Sequence, residues 1–112
     1  MEPRLIFEAN KTYQYKISWN KPEHADSEWV TFKTDEPQAI ERLTEHIVNY
    51  LDSPILHISI GRHDSETLNQ TNIRTFMEPL LNEQDFAIWD EHFKKVIDFN
   101  KIGVYRLGII NT

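Results

Sequence analysis

Residues 12–19 read TYQYKISW, and alternation this strict is the pattern of a strand with one buried face. Tyr13, Tyr15, Ile17 and Trp19 fall on one side, and Thr12, Gln14, Lys16 and Ser18 on the other. A strand cannot satisfy its backbone alone, so the pattern commits the chain to a sheet. The preceding LIFEAN, with Asn10-Lys11 as a two-residue turn, predicts an N-terminal β-hairpin. EWVTFKT, ILHISIG and VYRLGII supply further apolar, β-branched or aromatic strands.

Two segments carry the helical period instead. Asp35 as N-cap, Pro37 in the first turn and Gln38 completing a capping box open a helix. Its stripe is Ile40, Leu43, Ile47 and Leu51, and Asp52-Ser53-Pro54 ends it. A second helix is predicted over 83–100, with Phe86, Trp89, Phe93, Val96, Ile97 and Asn100 inward and Gly103 as a left-handed C-cap. Asp90–Lys94 and Glu91–Lys95 would then be i,i+4 ion pairs. Residues 66–81 fit a strand or a helix. LTEHIVNYLD and WDEHFKKVID share Glu-His and a closing Asp at equal offsets, which suggests two strand–helix–strand halves. The fold expected is one α+β domain over 1–112. Its sheet is mainly antiparallel with two helices on one face, a ferredoxin-like split βαβ (βαββαβ) preceded by the hairpin.

With 112 residues and an apolar share of 39%, the chain can bury one core and not two. It has no cysteine, which removes disulfides, thiolate metal sites and cysteine nucleophiles. MEPRLIFEAN has Glu2 and Glu8 around a few apolar residues, unlike a secretory leader. No apolar run approaches a membrane span, so a cytoplasmic location is expected. Residues 1–34 hold five Lys/Arg against five Asp/Glu, residues 35–92 three against twelve, and residues 93–112 four against one, giving the formal charge of −6. The acidic middle repels phosphate backbones and suits a basic protein partner.

Three glycines, Gly61, Gly103 and Gly108, cannot form a dinucleotide or Walker-type phosphate loop, and no HExxH, EF-hand or nucleophile-elbow motif occurs. The stretch RHDSE (62–66) concentrates chemistry: His63 as a base oriented by Asp64 or Glu66, with Ser65 as nucleophile. Adjacent side chains seldom face one another, so a polar loop capped by Asp64 or Ser65 is the reading preferred. His57 and His63 on one extended strand would be about 20 Å apart, too far for a shared metal. His46 and His92, each after a glutamate, fall on the polar sides of the two helices. No metal, cofactor or catalytic set is therefore assigned.

Asp35, Glu36, Glu83 and Asp85 are explained by helix N-termini. Glu41, Glu45, Asp52, Asp64, Glu66 and Glu78 are not, and all of these except Glu78 join His63 in a candidate partner-binding surface. The loop NKPEHADSEW adds Glu23, Asp26 and Glu28 beside Trp29, itself expected at the start of a strand and in the core. The profile is similar to that of bacterial immunity proteins, which neutralise a cognate toxin enzyme. It implies a protein partner, a basic toxin domain such as a nuclease, and no nucleic acid or membrane. The alternative is a small ligand-binding or enzymatic domain in which His57, Ser59 and His63 meet a ligand on the sheet.

Overall fold

The computed structural model describes residues 1–110. Its elements run α1 (Pro3–Tyr13), β1 (Ile17–Trp19), β2 (Val30–Thr31), α2 (Pro37–Leu51), β3 (Ile55–Ser59), β4 (Glu66–Asn69), α3 (Ile73–Met77), β5 (Phe86–Asp90), β6 (Lys95–Asn100) and β7 (Val104–Ile110). The strands form one sheet in the order β1-β7-β6-β5-β3-β4, with β2 also on β7, and every pairing is antiparallel. The mixed α+β class and the antiparallel sheet are as the sequence predicts. The βαββαβ order is not adopted, and three α-helices form among the described residues.

The expected N-terminal hairpin is replaced by α1. The alternating set at 12–19 hides a second pattern: Ile6, Ala9, Asn10 and Tyr13 stand at i, i+3, i+4 and i+7. Pro3 sits at the helix start and Ile6 is fully buried. Asn10, expected in a turn, accepts a hydrogen bond from Trp89 Nε1 at 2.8 Å. Only Ile17–Trp19 remains extended, and Tyr15 is 96% exposed.

The second correction is larger. Residues 83–100 form the β5–β6 hairpin, not a helix. Both faces of these strands are covered, so the period-two alternation that would betray them is absent. Phe86, Ile88, Ile97 and Phe99 pack under α2 and α3, while Ala87, Trp89, Phe93 and Val96 meet Ala9 and Tyr13 of α1. The expected i,i+4 ion pairs are therefore not formed. Instead the Asp90 carboxylate, largely buried, accepts the Lys94 and Lys95 backbone N–H groups at 2.6 and 3.0 Å and ties the turn. Gly103 is left-handed (φ 101°) as predicted, but in the β6–β7 turn.

α2 carries the predicted stripe, with Ile40, Leu43, Ile47 and Leu51 buried. Its N-cap is Glu36 without a side-chain cap bond, so the Asp35–Gln38 capping box does not form, and Asp52 ends the helix in a left-handed conformation (φ 46°). Residues 66–81 divide between the two readings: β4, then α3. The sheet is thus sandwiched, with α2 and α3 on one face and α1 on the other. The echo between LTEHIVNYLD and WDEHFKKVID has no structural counterpart, since the first is helix and the second a hairpin.

Candidate functional site

The loop after β3 resolves into a capped turn. Ser65 is buried, and its hydroxyl donates to the Gly61 carbonyl at 2.7 Å while accepting the Ile60 N–H at 3.0 Å. Both of its hydrogen-bonding functions serve the backbone, which leaves no nucleophile directed at His63. Arg62, His63, Asp64 and Glu66 are exposed. His63, Asp64 and Glu66 line one rim of a shallow groove whose other wall is Met1 and Pro3.

His57 lies inside the molecule. It is 5% exposed, stacked on Phe93 with ring centroids 4.8 Å apart and planes at 7°. Nε2 lies 3.0 Å from the Glu91 carbonyl, so it must carry the proton, and Nδ1 accepts from Thr67 Oγ1 at 2.7 Å. Burial lowers its pKa below the ordinary 6.5, outweighing the Glu91 carbonyl that favours the charged ring. Neither ring nitrogen is left for a ligand. His46 is exposed on α2, its ring 5.8 Å from Tyr105, and His92 is exposed in the β5–β6 turn. Among the described residues, no three His, Asp or Glu side chains converge as a metal ion would require.

The most connected polar cluster was missed in the sequence. Arg106 of β7 lies between Trp19 and Trp29, its guanidinium carbon 3.7 and 4.4 Å from the two ring centroids. Its Nε donates to Asp98 at 3.0 Å and its Nη1 to Glu28 at 3.2 Å. Burial raises the Asp98 pKa, and the Arg106 bond only partly offsets this. The cluster pins the loop 20–29 to the sheet, using an arginine's planar fork and its affinity for aromatic faces. Trp29 is consequently half-buried as a stacking wall rather than a core residue. The signal available was a charge inside each of two apolar strands, VYRLGII and KVIDFN, which register places opposite one another.

The carboxylates singled out by sequence form three separate groups. His63, Asp64 and Glu66 lie at the β4 edge; Glu28 is bonded to Arg106 of β7, four strands away, or about 19 Å across the sheet, and Glu23 and Asp26 lie in the same loop between β1 and β2. Glu28 is committed to Arg106, whereas Glu23 and Asp26 are exposed. Glu41 and Glu45 stand one turn apart on an outward stripe of α2, and Asp52 follows as the left-handed C-cap at its end. All three are exposed, and the ion pairs among the described residues involve none of them.

Comparison with known protein families, with curated proteins and with solved structures finds no match. No helix among the described residues is long and apolar enough to cross a membrane.

Proposed function

We propose that the chain is a small acidic binding protein that neutralises a basic partner protein, in the manner of an immunity protein covering the active-site surface of a toxin enzyme. The observation that carries the reading is the α2 stripe. Glu41 and Glu45 are like charges at i,i+4, and Asp52 is a negative charge at a helix C-terminus. Both arrangements disfavour the helix. Carboxylates held where they cost stability, with no ion pair among the described residues, match a surface kept for a cationic partner. A nuclease grips phosphate with Lys and Arg, and those groups would form charge-assisted hydrogen bonds with the stripe.

The loop pair Asp64 and Glu66 is the competing contact face. Co-expression with the product of the adjacent gene, followed by co-purification and a growth-rescue assay, tests the reading. A complex that forms and relieves toxicity is the expected result. Absence of both refutes it.

A further inference from the structure

A groove of 460 Å³ opens between α2 and the corner formed by β2 and β7. Its floor is aromatic: Phe32 and Tyr105 lie 6.2 Å apart, centroid to centroid, and both are half-buried. Its rim is cationic. Lys33 follows β2, and Arg42 and His46 stand at i,i+4 on α2, so they rise side by side over the same wall. No lining residue bears a carboxylate. In a chain of formal charge −6, that is a marked local inversion. The ion pairs among the described residues use neither Lys33 nor Arg42.

We propose that this groove binds a small aromatic phosphomonoester of the nucleoside monophosphate kind. Arg42 offers the planar fork that matches a phosphoryl group in two parallel hydrogen bonds, with Lys33 as a point charge and His46 as a further donor. The base lies against Phe32 and Tyr105, where a flat ring finds a stacking surface. The groove is of the size of small-ligand clefts and combines an apolar floor with a few convergent polar groups. It lies on the β7 side of α2, next to the carboxylate stripe, since Arg42 follows Glu41 and His46 follows Glu45, but none of its lining residues belongs to that stripe.

Titration of the 15N-labelled protein with inorganic phosphate, adenosine and adenosine 5′-monophosphate, followed by NMR, tests it. The nucleotide is expected to move the His46 and Tyr105 resonances with a Kd below about 1 mM, with phosphate and adenosine each weaker. Arg42→Gln and His46→Gln, both at exposed positions, are each expected to weaken the nucleotide roughly ten-fold or more. Arg62→Gln, a cation on the β3–β4 loop, leaves its affinity unchanged. The proposal is overturned by no movement at about 10 mM nucleotide, by adenosine binding as tightly as the nucleotide, or by Arg42→Gln without effect. Equal weakening by Arg62→Gln does so as well, because it reduces the binding to general charge attraction.

Discussion

Gly108→Ala reverses the usual sign of its substitution. Gly108 lies within β7, paired to Trp19 on one side and Val96 on the other, and its φ is not left-handed. Alanine fits that backbone, and in open space the change stabilises by about 0.4–1 kcal/mol through the unfolded chain. Here the new Cβ meets Ile17 Cγ2 at 2.5 Å and Trp19 Cε3 at 2.9 Å. Neither neighbour yields freely: Ile17 is β-branched and held in register with Ile110, and the Trp19 ring is stacked under Arg106. Overpacking of this kind costs about 1–3 kcal/mol, so the net effect is a destabilisation of roughly 0.5–2 kcal/mol once the unfolded-state gain is subtracted.

Urea denaturation followed by tryptophan fluorescence measures the change. Gly61→Ala is the control, because its Cβ meets only Asp64 Oδ2 at an ordinary 3.5 Å; it is expected to be neutral or stabilising by up to about 1 kcal/mol. In an Ile17→Ala background the cost of Gly108→Ala should shrink by at least about 0.5 kcal/mol, since the pair is in contact. A Gly108→Ala protein as stable as the parent, or more so, refutes the packing of β1 across β7.

Other outcomes follow from the same geometry. His57 has a pKa below its unfolded value because of burial, so the unfolded chain binds more protons and stability falls as pH drops through 6.5 toward the lower folded pKa. Urea midpoints at pH 5 and 7.5 should show that slope, and His57→Gln should reduce it. Ser65→Ala removes the hydroxyl from both turn hydrogen bonds and should cost about 1–2 kcal/mol in the same assay; a negligible cost would reopen a chemical role for that hydroxyl. Arg106→Lys keeps the charge but loses the fork joining Asp98 to Glu28 and the stack between Trp19 and Trp29. It should lower stability by about 1–2 kcal/mol and shift the tryptophan emission.

What was legible in the sequence was a helical stripe or a short apolar run set between clear breakers. α2 shows its four-residue stripe and β3 and β7 show their apolar runs because each is flanked by clear breakers. The β5–β6 hairpin was misread because residues buried from both sides carry no alternation. Phe86, Trp89 and Phe93 happen to fall at helical spacing. At the N-terminus two periods overlap: Tyr13, Ile17 and Trp19 serve one face of the sheet, yet Tyr13 reaches it from a helix. The Arg106 cluster depends on cross-strand register and on a loop returning over the sheet, neither of which a linear pattern encodes. Local chemistry read better: the capped turn at RHDSE followed from the poor geometry of adjacent residues, and Ser65 caps it.

The central claim is that the α2 stripe is kept for a basic partner at the expense of the helix. The direct test is the Kd of the proposed complex with the adjacent gene's product for the parent and for Glu41→Gln/Glu45→Gln/Asp52→Asn, with Asp64→Lys/Glu66→Lys alongside. Asparagine tolerates the left-handed conformation at residue 52. The triple variant is predicted to bind roughly 100-fold more weakly, with a thermal midpoint equal to or above the parent's. Full affinity in the triple variant, or a loss confined to the Asp64/Glu66 pair, would contradict the account.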